Sequence, residues 1–438
     1  MSILNVNKIN PVGGGSTITI AGIASVTSSV TAPSFVGDVT GAVTGNVTGN
    51  ADTASGLSGN PSINTTGIVT ATAFVPSQGQ LSHRNLLTNG AMQVNQRGNL
   101  TVSNSNASRQ YGGPDRFFQY YYTSSEEARY NFNQGGLNDS PYEQGFTNVA
   151  HLDVTTADTS IHQDHAIWTG YRMEAYDAAQ LSYGHANAKS LTLSFWIKSS
   201  VTGTYSILLG HTNDDERYIT TYTVNVANTW EKKTITFPGD TRSGKTISPS
   251  NGRGLELKWV WMSGTSRVAT PNEWATQGNK YGASGVTHAN IFSSTSNNLY
   301  LTGCQLEVGS VATPFEHRSY EEELRRCHRY FFNIQGSNGY RTGIPCYANS
   351  SSECRGVVYF PAPMRANPTF TGSATAMVFD SSSDSASFNV NTISSSVANT
   401  NALYNRAFLE VSTSSMTAGQ AGQLEFRATG FMNFSAEL

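Results

Sequence analysis

The chain has 438 residues, which fits two to four domains better than one compact core. Only 13% of the residues are charged, the formal net charge is −3, and no block of Lys or Arg occurs, so a nucleic-acid partner is not expected. The sequence also lacks a run of apolar residues long enough to predict insertion into a membrane.

The N-terminal segment, residues 1–84, begins without the basic and apolar parts of a signal peptide, and we expect synthesis in the cytoplasm of a host cell. Within it, the sequence "GDVTGAVTGNVTGN" (residues 37–50) repeats every four residues. Each glycine would cost a helix about 1 kcal/mol relative to alanine, which favours an extended strand. Val39, Val43 and Val47 then share one face with the glycines, and the opposite face is almost wholly polar.

One strand cannot bury this Val/Gly face alone. Three copies wound about a shared axis could bury it, because glycine allows the backbones to approach closely. The repeat therefore predicts an intertwined β shaft, with Val39, Val43 and Val47 as trimer contacts. The alternative is a flexible glycine-rich linker.

From about residue 85 the aromatic residues become dense, and runs that resemble strands follow at intervals bounded by turns. The run "SLTLSFWIKSS" (residues 190–200) places Leu193, Phe195 and Ile197 on one face and Trp196 on the other. Many short strands with almost no helix predict a jelly roll or β-sandwich over residues 85–318. We assign Trp259 and Trp261, which share a strand face with Leu255 and Leu257, to its core.

Five aromatic residues are candidates for binding a carbohydrate. Trp196 shares its strand face with polar residues, and Trp274 and Tyr281 lie in a long polar stretch, where an exposed aromatic would indicate function. Trp168 and Tyr171 follow a histidine cluster. The alternative for each residue is ordinary core or interface packing.

Two polar clusters could in principle bind a metal ion. His162 and Asp164 would share a strand face, and Asp214, Asp215 and Glu216 offer oxygen ligands. Neither cluster has the spacing of a known metal site, and a surface loop and a solvated turn explain them. The chain also lacks a nucleophile elbow and a P-loop lysine. We therefore predict no metal, no cofactor, no catalytic residue and no enzymatic activity.

A short helix is predicted at residues 319–332, where Ser319 and Glu322 form a capping box. It would connect the sandwich to a C-terminal β domain, residues 333–438. Cys346 and Cys354 of that domain could form a disulfide across a hairpin. Free thiols are favoured by cytosolic synthesis.

Several stretches resemble the carbohydrate-binding-module-like domain of tail-fibre and receptor-binding proteins from bacteriophages, especially marine ones. They include "NLLTNGAMQVNQRG", "LSFWIKSSVTGTYSI" and, most specifically, "QLEVGSVATPFEHRSYEEEL". The resemblance covers most of the chain. It implies a homotrimer, a location in the virion and attachment to the host surface, and it places no catalytic residue.

The sequence therefore predicts a trimeric phage tail fibre that adsorbs to a host-surface glycan and contacts other tail or virion proteins through its N-terminus. One alternative is a virion component without receptor binding, such as a head fibre or a tail connector. A second alternative is a polysaccharide depolymerase.

Overall fold

The computed structural model describes residues 82–102, 109–122, 128–211, 215–336, 343–381, 387–396, 405–426 and 430–438. The predicted shaft, with Val39, Val43 and Val47, lies outside these residues. All described residues belong to one compact unit, Ala73–Leu438. The predicted all-β class is confirmed for them. No helix in the described ranges has the length and apolar character needed to cross a membrane.

The first part of this unit is built from fifteen strands in the described residues. They are β1 (Leu100–Val102), β2 (Arg109–Tyr111), β3 (Phe117–Tyr122), β4 (Arg129–Gly136), β5 (Asn148–Thr156), β6 (Ala166–Glu174), β7 (Leu191–Ser199), β8 (Gly203–His211), β9 (Glu216–Val224), β10 (Glu231–Phe237), β11 (Arg253–Ser263), β12 (Val268–Ala269), β13 (Trp274–Thr276), β14 (Gly282–Ala283) and β15 (Asn298–Val308). A four-residue helix, α1 (Ala175–Ala178), follows β6.

These strands form two large antiparallel sheets. The first sheet has the order β1-β4-β5-β15-β7-β10, and the second has the order β13-β9-β8-β11-β6-β3-β2. Strands β12 and β14 form a separate short parallel pair. Both belong to a segment, residues 264–289, that supplies β13 to the edge of the second sheet and places Tyr281 and Ala283 over its outer face, where they pack with Trp168. We call it the covering segment.

The core lies between the two sheets, as the period of two predicts. Leu193, Phe195 and Ile197 of β7 are fully buried, and the Phe195 ring meets the Trp259 ring of the opposite sheet edge-on, with centroids 5.9 Å apart. Trp259 and Trp261 are both in this core, so their assignment from sequence is confirmed.

The C-terminal part contains helix α2 (Tyr320–His328) and ten strands in the described residues. The strands are β16 (Phe331–Gln335), β17 (Gly343–Ala348), β18 (Glu353–Tyr359), β19 (Thr369–Gly372), β20 (Met377–Ser381), β21 (Ser387–Asn389), β22 (Thr392–Ser396), β23 (Arg406–Ser412), β24 (Ala421–Phe426) and β25 (Phe431–Ser435). They form a three-stranded sheet, β16-β25-β19, and a seven-stranded sheet, β21-β20-β24-β17-β18-β23-β22. The C-terminal strands share a hydrophobic core of their own. The four cysteines are buried and their thiols are free.

Helix α2 is shorter than the predicted range because Phe331 already begins β16, which pairs with β25. The predicted cap is present: the Ser319 hydroxyl accepts a hydrogen bond from the Glu322 amide at 3.2 Å. The buried Glu323 carboxylate accepts from the Asn89 amide at 2.6 Å, which ties the helix to the start of the sandwich.

Buried charges fix the C-terminal strands against the sandwich. Arg116 pairs with Glu437, and its guanidinium lies 3.4 Å from the centre of the Tyr330 ring. Glu174 accepts hydrogen bonds from Arg329 at 2.6 Å and from the Tyr330 hydroxyl at 2.7 Å. Removing one partner of such a pair would leave an uncompensated buried charge, which favours this placement of the C-terminal strands over alternatives that separate the pair.

Candidate ligand-binding face

The outer face of the first sheet carries the candidate site. On β7, Trp196 projects away from the core because Phe195 and Ile197 on either side of it project inward. In register, Trp196 lies between Lys232 of the edge strand β10 and Thr302 of β15. Its side chain is half-buried. Trp196 therefore occupies the outward position that the strand alternation predicts.

A cavity of about 420 Å³ opens beside Trp196. One wall is aromatic: the Phe146 and Phe315 rings meet edge-on at 4.8 Å, and the His317 ring lies 5.2 Å from Phe146. Polar groups of Ser194 also line the cavity. A concave apolar surface with a few fixed polar groups is the usual form of a small-ligand site.

Gly303 keeps this cavity open. The pairing of β15 with β7 is irregular between Thr302 and Gln305, and Gly303 has a positive φ of 61° there. A Cβ atom at this position would lie 2.7 Å from the Phe146 ring and 3.0 Å from the Trp196 indole. Only glycine satisfies both the backbone conformation and the space.

A second aromatic cluster lies on the same face, one row further along the strands. Tyr300 of β15 is flanked in register by Lys198 of β7 and His151 of β5. The Tyr300 and His151 rings are stacked, with centroids 4.3 Å apart. The Trp230 ring lies 6.3 Å from Tyr300. The face thus continues as an aromatic surface beyond the cavity.

Asp139 organises this cluster. Its carboxylate accepts hydrogen bonds from Lys198 at 2.8 Å and from the Trp230 indole at 3.2 Å. Burial alone would raise the pKa of Asp139, but the hydrogen bonds from Lys198 and Trp230 outweigh it and lower that pKa. Asp139 therefore stays ionised at neutral pH and neutralises Lys198.

Two of the other predicted residues lie on the outer face of the second sheet, beneath the covering segment. Trp168 is buried between Tyr120, at a centroid distance of 4.3 Å, and Tyr281, at 4.4 Å. Tyr281 belongs to the covering segment itself and is buried. Burial raises the pKa of Tyr281 to about 12. The structure brings these two residues together, but in a closed stack.

Tyr171 and Trp274 are placed elsewhere. Tyr171 lies in the core between the sheets, and its hydroxyl accepts a hydrogen bond from the Thr88 amide at 2.8 Å. Trp274 lies on β13 at the edge of the second sheet, and its indole donates to the Pro238 carbonyl at 2.7 Å. The five predicted aromatics therefore do not form one surface, and Trp196 alone among them borders the cavity.

The sequence interpretation did not select Tyr300, His151, Trp230, Phe146 or Phe315. Tyr300 had a usable signal, because it alternates with the core residues Leu299 and Leu301 as Trp196 does with its neighbours. Phe146 and Phe315 lie outside the strands, and no periodicity indicates where their rings point.

Contacts within the described residues occupy both polar clusters, and Glu216, at the start of β9, is buried rather than part of a solvated turn. His162 accepts a hydrogen bond from the Asp164 amide at 3.3 Å, and Arg267 lies 3.5 Å from the Asp164 carboxylate. Glu216 pairs with Lys245 at 2.5 Å and with Arg242 at 2.7 Å, while Asp214 lies outside the described residues. Across the described ranges, no three His, Cys, Asp or Glu side chains are grouped to hold a metal ion.

Comparison with known proteins gives only distant similarity. No family model matches the chain, and no curated protein matches it. Among solved structures, the enzymatically active domain of bacteriophage CBA120 tailspike protein 4 has a TM-score of 0.27 at 12% identity, covering 51% of this chain and 21% of that chain. The chain thus spans about a fifth of that protein.

Two further solved structures are similar to a comparable extent. A putative sugar binding protein from Bacteroides thetaiotaomicron has a TM-score of 0.29 at 10% identity, covering 51% of this chain and 100% of that chain. A family 11 carbohydrate-binding module from Clostridium thermocellum, in complex with a mixed-linked tetrasaccharide, has a TM-score of 0.23 at 11% identity, covering 50% of this chain and 99% of that chain. Similarity at this level establishes neither the fold nor the function of the chain.

Proposed function

We propose that this chain is a structural virion protein that binds a glycan of the host surface through the outer face of its first sheet. The observation that carries the proposal is the half-buried Trp196 indole beside a 420 Å³ cavity with an aromatic wall. Such a cavity is large enough for a sugar residue.

The chemistry of a sugar fits this surface. A pyranose ring presents C–H groups on one face and hydroxyl groups around its edge. The Trp196 ring offers a flat apolar surface, and Ser194 and Gln144 are among the polar residues beside it. Tyr300 and His151 extend the same face, so a chain of several sugar units is the expected ligand.

The proposed virion role rests on the sequence resemblance and on the repeat of residues 37–50. In this proposal three copies associate through the shaft, and the N-terminal segment contacts other tail or virion proteins. Each exposed sugar site is weak, because its hydrogen bonds compete with water. Three sites on one fibre act together through their high effective concentration.

We further propose that the chain binds the glycan without cleaving it. Glycosidases use two carboxylates about 5–10 Å apart across the sugar bond. The described residues that line the Trp196 cavity include no Asp or Glu. A depolymerase would release reducing sugars from host polysaccharide, whereas a protein that only binds the glycan would release none.

The deciding experiment compares the full-length protein with its Trp196→Ala variant on a glycan array and then by calorimetry. Loss of an aromatic contact worth about 1.5–3 kcal/mol should weaken binding by roughly ten- to a hundredfold. The matched control is Tyr359→Ala, which removes a ring that is 69% exposed on the C-terminal sheet.

Both variants should keep the melting temperature of the wild type within a few degrees. Unchanged glycan affinity in Trp196→Ala would contradict the site. Phage adsorption to host cells, measured with added free protein, then distinguishes the two possible virion roles. A tail fibre added as free protein blocks adsorption, and a head fibre or tail connector does not.

A further inference from the structure

We infer that the Trp196 cavity selects a sugar that carries an acidic substituent, a carboxylate or a sulfate, and that Lys232 is the residue that pairs with it. This inference rests on the proposed glycan-binding function and specifies its substrate class. The inference is based on the position of Lys232, a cation without an acidic partner in the described residues, beside the aromatic ring of Trp196.

Lys232 is held at the cavity by its strand. It lies directly opposite Trp196 in the pairing of β10 with β7, and it lines the cavity. Strand β10 is the last strand of the first sheet, so its outward side chains stand at the rim of the ligand face. The exposed residues of β10 alternate with less exposed ones, and Lys232 is on the exposed side.

The charge of Lys232 is uncompensated within the described part of the chain. Of the lysines there, Lys198, Lys233, Lys245 and Lys258 each pair with a carboxylate, and Lys280 donates to the Ser266 carbonyl. Lys189 and Lys232 have no such partner in the described residues. Of these two, only Lys232 borders the candidate site.

The carboxylates near β10 already have hydrogen-bond or ion-pair partners within the chain. Burial would raise the pKa of Glu231, but hydrogen bonds from Lys233, Val226 and Asn225 bring it to about 2. Glu231 therefore remains ionised and bound to Lys233, at 2.6 Å, on the less exposed side of the strand. Glu307 accepts hydrogen bonds from Thr313 at 2.7 Å and from Gln305 at 3.0 Å.

The lining of the cavity therefore carries positive charge alone among its described residues. Its other titratable group is His317, whose Nε2 atom is 2.9 Å from the Gln144 carbonyl oxygen. A sugar stacked on Trp196 with an acidic group directed toward β10 would place opposite charges together at a partly enclosed surface, where water screens them less than in bulk. A neutral sugar would leave Lys232 without a partner.

The test uses polygalacturonate, alginate and a sulfated galactan as acidic probes. Each is paired with a neutral counterpart of the same backbone, made by carboxyl reduction or desulfation. The full-length wild type should bind at least one acidic probe about three- to tenfold more tightly than its neutral counterpart, in line with an exposed ion pair that is partly desolvated. Raising the salt from about 0.1 M to 1 M should remove that preference.

The variant is Lys232→Gln, and the matched control is Lys233→Gln, which makes the same change one residue away on the other side of the strand. Lys232→Gln should bind acidic and neutral probes equally, and Lys233→Gln should retain the preference. Equal binding of both probe classes by the wild type, with Trp196 still required, would overturn the acidic-ligand inference and leave glycan binding intact. An absence of binding to every acidic and neutral probe would instead count against the proposed function.

Discussion

Each outer face of the sandwich carries a tryptophan that projects from a strand, and the two tryptophans differ in what covers them. On the second sheet, Trp168 projects outward from β6 and is closed off by Tyr281 of the covering segment, whose ring lies 4.4 Å away. On the first sheet, Trp196 projects outward from β7 and borders a cavity. An outward aromatic on a strand is therefore a ligand candidate only where no other segment of the chain stacks on it.

The faces also differ in how they balance charge. On the covered face, the Lys258 ammonium lies 4.8 Å from the Trp168 ring centre and 3.5 Å from the Glu256 carboxylate. Cation, ring and carboxylate are all supplied by the chain. On the open face, Lys232 lies beside Trp196 without an acidic partner among the described residues. Elsewhere on the open face, Lys198 has the Asp139 carboxylate at 2.8 Å, so the missing acidic partner is specific to Lys232 beside Trp196, and in our proposal a ligand supplies it.

The largest effect expected from this comparison is on stability. Trp168→Ala should lower the free energy of unfolding by about 3–5 kcal/mol, because it empties a buried stack beneath the covering segment. Urea unfolding followed by tryptophan fluorescence or circular dichroism measures this loss. Trp196→Ala, the equivalent change on the open face, should cost far less stability.

The comparison fails if the two tryptophan variants lose similar stability. Glycan binding by the same variant provides a second measurement. At a temperature where Trp168→Ala remains folded, it should bind glycan like the wild type, because it leaves the outer face of the first sheet unchanged. Reduced binding in folded Trp168→Ala would place part of the site on the covered face.

Strand alternation was sufficient to predict the all-β class and the inward or outward direction of several side chains. It placed Phe195, Trp259 and Trp261 in the core and Trp196 outside it, because side-chain direction in a strand is a local property of the backbone. The cap of helix α2 was also predictable, since Ser319 and Glu322 are three residues apart in the chain.

Properties that depend on distant segments were not predictable. Trp168 and Tyr281 are 113 positions apart in the numbering and stack only because the covering segment folds over β6. The cavity beside Trp196 likewise depends on Phe146 and Phe315, which come from separate connecting segments. The sequence identified an outward aromatic, and the tertiary fold decided whether it was covered.

An intermediate loss of stability and of glycan affinity is expected for a substitution at Gly303, because this glycine leaves the space beside Trp196 empty. Gly303→Ala adds a methyl group 2.7 Å from the Phe146 ring, at a residue with a φ of 61°. The backbone strain should cost roughly 1–2 kcal/mol of stability, and the methyl group should also displace the Trp196 ring and weaken glycan binding. Thermal unfolding and calorimetry measure the two effects on the same protein.

Gly98→Ala is the control for backbone strain. Gly98 has a similar positive φ of 74°, and a Cβ atom there would meet no atom within 4 Å. It should therefore lose comparable stability and retain full glycan affinity. If Gly303→Ala also retained full affinity, the space beside Trp196 would have no part in binding.

The smallest effect is a difference in acid sensitivity between the faces. On the covering segment, the His288 Nε2 atom is 2.8 Å from the Ser206 hydroxyl, and burial lowers the pKa of His288, with a partly opposing hydrogen bond to the Ser263 backbone. On the open face, burial lowers the pKa of His151, the nearby Asp153 carboxylate opposes the shift, and the Lys198 ammonium adds to it. In both cases the fold favours the neutral histidine, and no carboxylate of the described residues stabilises the charged form of His288.

The sign of the effect follows from linkage. A histidine whose folded pKa lies below its unfolded value of about 6.5 takes up protons in the unfolded state first, so its contribution is complete above about pH 6.5 and is lost as the pH falls toward the folded pKa. Urea unfolding at pH 7.5 and at pH 5.5 should show a smaller acid-induced loss of stability in His288→Gln than in the wild type. His151→Gln should reduce that loss less, because Asp153 stabilises the charged form of His151 and Asp139 neutralises the opposing Lys198. The remaining histidines contribute equally to all three proteins. If His151→Gln reduced the acid-induced loss of stability as much as His288→Gln, or more, the covered face would be no more sensitive to acid than the open face.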